Sequence, residues 1–452
     1  MSKKLFALVL SLSMVMTMLL AGCSTQNDNA STPPEGSDAP TTESTAPTGG
    51  GDAEGRVYWL NFKPESDQVL NDVAKMYTEK TGVPVKIVTA ASGTYSQTLN
   101  AEMSKSEAPT IFNVGNAAGV RDWTDYALDL NGTPIANELN TDAYNLYDET
   151  GKLVSIGYCY ECFGIIVNPD LLEQAGHSLD EIKNFETLKA VVEDIHSRAG
   201  ELGFDAFTSC DMDGSSSWRF TGHLANVEYY YEQEGAPWTE APATLSGKYM
   251  EYFKNLYDLC INNSLSDPKD LSVGGHDPDN EFKSGKAVFQ PQGSWTYGGD
   301  TNYVGSVPNA TMIPYYCGME GEEKAGLNCG TENCWAINSK VSEADQQATM
   351  EFMVWCVTDP EASRMLVDTF GVMPYKNAAE STNSFLAAAN EYSNNGCYVM
   401  NWAFNYQPNV DELRAGMVSA LNAYNADQSD ANWESVCTAF VDGWAAQYAA
   451  VN

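Results

Sequence analysis

The order of elements along this chain predicts an α/β fold built on a parallel sheet. Three observations carry that expectation. The chain opens, after residue 56, on a strand–helix–strand unit; apolar strands and amphipathic helices then continue to alternate; and 43% hydrophobic with 11% aromatic residues is ample for sizeable cores. A sheet begun by such a unit gathers ligand-contacting groups at the carboxyl ends of its strands. From Arg56 to Asn452 the chain runs to roughly 400 residues, a length that divides into two domains more often than it forms one.

Val57-Tyr58-Trp59-Leu60 is a short apolar run, hence a buried strand, leading into Asn61-Phe62-Lys63. A helix begins at Ser66, with Val69, Leu70, Val73, Met76 and Tyr77 at helical spacing, Lys80 in its last turn and Gly82 just past it. Val83, Val85 and Ile87 alternate as the next strand, and Pro109–Gly115 gives another that ends beside Asn116. Residues 152–168 form a long extended stretch before a helix at Asp170–Ala175, and Asn184–Ala199 is a further helix with Leu188, Val191, Val192 and Ile195 on one face. Phe282–Trp295 reads as a helix end, a strand and a glycine turn presenting a tryptophan. Gln347–Val357 is an apolar helix ended by Asp359-Pro360, and Ser419–Tyr448 is read as helical.

Upstream, Lys3 and Lys4 precede an apolar run from Leu5 to Leu20, shorter than the roughly 20 residues a spanning helix needs. Small residues then lead to a cysteine in Leu20-Ala21-Gly22-Cys23. This resembles a bacterial lipoprotein signal, with residues 1–22 removed and Cys23 lipid-modified. Residues 23–55 are rich in Ser, Thr, Pro, Gly and acids and hold almost no large apolar residue. Such a segment is expected to be a disordered tether with a reach of roughly 30 Å. The expected location is the outer face of a bacterial cell membrane.

A formal charge of −37 excludes nucleic acid as a partner, disfavours anionic solutes, is indifferent to sugars and attracts cations. Ten cysteines follow Cys23. Cys159-Tyr-Glu-Cys162 and Cys329-x4-Cys334 have metal-like spacings, but no nearby histidine completes a zinc set. Cys159 and Cys162 also fall three apart in a strand-like run and so point to opposite faces. Export permits disulfides, and one somewhere among the ten stays open, but scattered buried thiols are the plainer expectation, with no metal and no cofactor.

The ordered set of segments is similar to the substrate-binding lipoproteins of ABC importers, extracellular solute-binding family 1, which includes the maltose-binding protein. The matching stretches are the strand–helix–strand opening, Ala108-Pro-Thr-Ile-Phe-Asn-Val114, Asp148–Tyr158, Phe163–Asn168 with Leu171-Leu172 and Ala175-Gly176, Phe282-x-x-Gly285-Lys-Ala-Val with Gly293-Ser-Trp295, and Gly371-Val-Met-Pro374. Gly157 stands where the family usually has proline. The resemblance implies two α/β lobes around a solute-holding cleft, discontinuous in sequence: 56–163 with 335–372, and 164–334 with 373–452. Three hinge crossings are expected near Phe163–Ile165, Asn333–Trp335 and Phe370–Pro374. Closure on a carbohydrate, of several rings, and delivery to the importer's membrane subunits by a monomer without catalysis follow from the same resemblance.

Sugars demand aromatic rings for their C–H faces and hydrogen-bonding forks for their hydroxyls. The candidates are Lys63, where the family often places polar contacts; Asn116, after the third strand; Glu161, at the family's spacing before Asn168; Trp218 and Arg219 in a polar loop; Trp295, matching a stacking tryptophan; Glu332 and Asn333 beside the second crossing; and Trp402. Trp59 and Trp335, on apolar strands, are read as core. Two other functions stay open. One is a binder of a polyamine or metal, for which Asp211-Met-Asp213-Gly214 and Asp277-Pro-Asp279-Asn-Glu281 supply carboxylates, and the other is a surface glycoside hydrolase, which needs paired carboxylates. Solvated acidic loops are the plainer reading of those segments.

Overall fold

The computed structural model describes residues 55–91, 93–298 and 301–451. The signal segment, Cys23 and the tether up to residue 54 lie outside the described residues. Twelve strands are described: β1 (Val57–Asn61), β2 (Val85–Thr89), β3 (Ile111–Asn113), β4 (Asn145–Tyr147), β5 (Leu153–Gly157), β6 (Glu161–Val167), β7 (Asp205–Phe207), β8 (Ala287–Gly293), β9 (Thr311–Ile313), β10 (Ala325–Gly330), β11 (Cys334–Ile337) and β12 (Tyr398–Asn401). They form two sheets, β2-β1-β3-β11-β5-β4 and β12-β10-β6-β8-β7, with β9 pairing β6. Each sheet is the centre of one lobe.

In the first lobe β1 runs parallel to β2 and β3, as the strand–helix–strand opening requires. The helix Asp67–Thr81 ends at Gly82, whose φ of 79° is the left-handed conformation that favours glycine at a C-cap. Leu70, Val73 and Tyr77 of that helix pack with Trp59, Ile111, Trp335 and Phe352 on one face of the sheet, and Leu60, Phe112, Val154 and Ala336 cover the other. Trp59 and Trp335 are core, 2% and 0% exposed, in edge-to-face contact at 5.6 Å. In the second lobe the helix Phe185–Ser197 buries Leu188, Val191, Val192 and Ile195 against the β6–β8 face, started by Asn184 in a capping box with Thr187.

Three linkers join the lobes. β5 leaves the first sheet at Gly157 and β6 enters the second at Glu161, so the first crossing is 158–160. That is earlier than the expected 163–165, because Phe163 to Ile165 already pair with β8. The second crossing is 331–333, and Cys334 and Trp335 already belong to β11. Gly157 pairs with Cys334 and Glu161 with Gly330, a single register carried from one sheet to the other. The first two linkers therefore run as one antiparallel ribbon, and Tyr158 N–H donates to the Asn333 carbonyl at 2.8 Å. The third linker joins them where Tyr160 N–H donates to Val372 O at 2.6 Å.

The stretch read as one helix from 419 to 448 is two, Val410–Ala426 and Asp430–Val451, broken at an extended Asp427. The run Asn425-Ala-Asp-Gln-Ser-Asp430 is rich in residues whose side chains compete for backbone bonds. The ten cysteines of the body are free thiols, eight of them buried. Cys159 packs in the first lobe's core and Cys162 in the second's.

Glu228, fully buried on the helix Asn226–Glu232, has its carboxyl pushed up to about 9, first by burial and then by the neighbouring Glu232. A raised carboxyl binds its proton more tightly folded than unfolded, so its contribution is whole below about 4.5 and is lost as pH climbs toward about 9. Melting temperature should fall across that window, and Glu228→Gln should flatten the fall. A variant curve parallel to the parent's would contradict the assignment.

Candidate functional site

The site grows from the carboxyl end of β1 and the two-stranded ribbon. Lys63 follows β1, and its ammonium lies 2.5 Å from Glu161 Oε1 and 3.8 Å from Glu65. Glu161 opens β6, and its second oxygen accepts 2.6 Å from Asn333 Nδ2. Lys63, Glu161 and Asn333 are 7%, 1% and 0% exposed. Removing two charges from water costs more than their attraction returns unless the geometry is good and the remaining atoms are bonded; here the contact is short and both carboxylate oxygens are bonded. Burial, the largest single effect, opposes the charge on Lys63, but Glu161, Glu65 and Cys159 together hold the lysine above its ordinary value. Burial lifts the Glu161 carboxyl against the pull of Lys63 and Asn333.

The same ammonium sits 4.7 Å over the ring of Trp295, joining the polar group to an aromatic one. Trp295 follows Gly293 in a tight turn, and its ring lies back over that glycine so closely that a Cβ there would be 2.1 Å from it. Trp218 is 5.8 Å from Trp295, centroid to centroid, and both are within 6.1 Å of Phe163. Trp402 lies against Gly330, the last residue of β10, where a Cβ would be 2.7 Å from the indole.

At the centre of these rings is His223, 5% exposed and stacked on Phe163 at 4.2 Å with 5° between planes. Trp218, Trp295, Trp402 and Phe404 surround it at 4.6–5.6 Å. A π-helical turn, Arg219–Leu224, carries His223 inward; such turns concentrate at functional positions. Burial first, then the charges of Arg414, Lys63 and Arg219, push the imidazole well below its ordinary value, so it is neutral at neutral pH. His223 Nδ1, Arg219 Nε and Trp402 Nε1 are buried without a protein hydrogen-bond partner. Three such atoms lie within or beside one aromatic group.

Arg219, 4% exposed, stacks on Trp218 at 4.4 Å and reaches Asp279 at 3.3 Å. Glu332 is half-buried; burial raises its carboxyl, while Arg414 and Lys63 oppose the rise. Its carbonyl faces Gly115, where a Cβ would be 2.3 Å away, which brings the end of β3 against the second linker. Asn116, next in sequence, caps the helix Ala117–Trp123 by accepting from Gly119 N–H at 2.8 Å. Its oxygen is committed to that helix start. Across the mouth, Gly93 of the first lobe abuts the carbonyl of Gly214 of the second, 2.9 Å from a Cβ built on Gly93.

The structure thus brings Lys63, Glu161, Asn333 and Trp295 into direct contact, and gathers Trp218, Arg219 and Trp402 on the same side. His223, Phe163, Phe404 and Arg414 were not foreseen. One signal was available for His223: it is one of four histidines in the chain and follows Trp218 by five residues.

The acidic loops are occupied by the protein's own donors. Asp279 Oδ1 accepts from Tyr303, Gln290, Gln292 and Arg219; Asp277 caps a helix; Glu281 accepts from Ser209 N–H; Asp211 holds His276; and Asp213 accepts from Ser215 and Ser216 N–H. Among the described residues no three His, Cys, Asp or Glu side chains gather in a form that could hold a metal ion. No described helix is long and apolar enough to cross a membrane.

Comparison with known proteins matches residues 72–395 to the family described as bacterial extracellular solute-binding protein. A search of curated proteins returns no sequence match. Among solved structures, the solute-binding protein RafE in complex with raffinose is similar at 17% identity and TM-score 0.66, covering 86% of this chain and 99% of its own. A chitin oligosaccharide binding protein is similar at 15% identity and TM-score 0.66, covering 88% and 100%. The GacH receptor of Streptomyces glaucescens, solved unliganded and with acarbose, is similar at 17% identity and TM-score 0.64, covering 88% and 99%.

Glu161→Leu would strand the Lys63 charge in the interior and should cost about 3–5 kcal/mol in urea denaturation. The double variant Lys63→Met/Glu161→Leu should recover most of that loss. If the single substitutions merely add, the two residues are not a coupled pair.

Proposed function

This chain belongs to the bacterial extracellular solute-binding proteins, and from that membership we propose that it captures an uncharged oligosaccharide between its lobes by hinge closure. It then presents that solute to the membrane subunits of an ABC importer, held at the cell surface by lipid on Cys23, and leaves the solute chemically unchanged. The observation that carries the proposal is the ring of Trp218, Trp295 and Trp402 around a neutral His223, with one unpartnered nitrogen each on His223, Arg219 and Trp402. Indoles suit the C–H faces of successive sugar rings, and the open nitrogen positions suit hydroxyls.

Charge favours a neutral guest. Lys63 is matched by Glu161 and Arg219 by Asp279, so neither of these cations is left free to recruit an anionic solute. The similar structures bound to raffinose and to acarbose point the same way. The net charge alone favours a cationic solute, but the carboxylates of the two acidic loops already serve internal donors. Lys63 reaches the site from the first lobe and Trp295 from the second, so their contact at 4.7 Å is one a closing motion would make.

Residues 24–452, screened against a panel of neutral oligosaccharides, should show a changed tryptophan emission and a higher melting temperature with at least one. Ligand at 100 times its dissociation constant should add about 2.7 kcal/mol to stability. Trp295→Ala should weaken that binding by roughly 10- to 100-fold, in line with about 1–3 kcal/mol for a stacked hydrophobic contact. A flat response to every saccharide, with a shift on spermidine or calcium, would overturn the proposal.

A further inference from the structure

The two cysteine spacings in the sequence meet in the ribbon. Cys162 of β6 and Cys329 of β10 are directly opposed in an antiparallel ladder, one residue pair inside the start of the linkers. Cys162 donates its N–H to Ser294 Oγ at 3.0 Å, on the β8 side, and so turns its backbone away from β10. Cys162 and Cys329 therefore form a non-hydrogen-bonded pair, the kind whose Cα atoms approach to about 4.5 Å. A disulfide accepts Cα separations of roughly 4.4–6.8 Å. Both side chains enter the same small core, with Met312, Phe385 and Leu386, and both thiols are free.

We propose that Cys162 and Cys329 are a redox modification site, closed to a cross-strand disulfide by a hydroperoxide at the cell exterior. The neighbouring Cys162, with help from the Tyr160 hydroxyl, holds the Cys329 thiol below its ordinary value despite burial. Cys162 is raised by burial first and then by Cys329. The Cys329 thiolate attacks the O–O bond, giving a sulfenic acid and releasing hydroxide. The Cys162 thiol then attacks the Cys329 sulfur, forming the S–S bond and displacing the second hydroxide, while its own proton leaves to water. In balance, two thiols and one hydrogen peroxide become one disulfide and two waters. The bond ties the first two linkers together at the second lobe, where the lobes pivot. An exported protein works where such a bond persists.

The test is hydrogen peroxide on the purified protein, then intact mass and non-reducing peptide mapping. A loss of about 2 Da and a single cross-linked peptide joining Cys162 to Cys329, both reversed by dithiothreitol, are expected. The oxidised form should also melt higher than the reduced form. Cys162→Ser should block the cross-link and leave a sulfenic acid on Cys329 that dimedone captures. Should that variant fail to fold, the mapping of the unaltered protein still decides. Thiols that persist at both positions, a Cys159–Cys334 link instead, or mass gained as oxygen without a cross-link would each overturn the proposal.

Discussion

One buried ion pair organises this molecule. Lys63 leaves the first lobe at the end of β1 and reaches Glu161, which opens the first strand of the second lobe, while Asn333 on the second linker fixes the other carboxylate oxygen. Three residues far apart in sequence thereby tie a lobe edge to both strands of the ribbon. Neither charge can be left alone in such a place, so the linkers and the end of β1 are held in one arrangement. The contact of Lys63 with Trp295 then makes the aromatic wall of the second lobe part of the same assembly.

That wall depends on close backbone approach. Trp295 and Trp402 each lie against a glycine, Gly293 and Gly330, with no room for a Cβ. Both glycines sit at strand ends facing the first lobe, where β8 and β10 finish. Candidate groups follow the carboxyl ends of β1, β8 and β10, while Glu161 stands at the amino end of the antiparallel β6. The π-helical turn adds His223 to the wall, which a regular helix over the same residues would displace.

Much of this was legible because the signals are local. Gly82 past the helix Asp67–Thr81, Asn184 before the helix Phe185–Ser197 and the Gly293-Ser294 turn before Trp295 each carry their own punctuation. The first crossing was not legible at its true place. Residues 152–168 are nearly uniformly apolar, and nothing in the period distinguishes the last strand of one sheet from the first of the next. Asn116 is a pocket candidate because it follows a strand, and its side chain also caps a helix, a role the strand end does not announce. The Cys162–Cys329 pairing needs the register of two strands separated by half the body, which spacing alone does not contain.

In the proposed function the lobes shut around a neutral sugar by bending at the ribbon. Small-angle scattering on the purified body tests it most directly, with saturating saccharide identified by calorimetry and without it. A smaller radius of gyration with the sugar, and a curve then fitted by the form in which Gly93 meets Gly214, is the result expected. Identical curves in the presence of calorimetrically proven binding would contradict it.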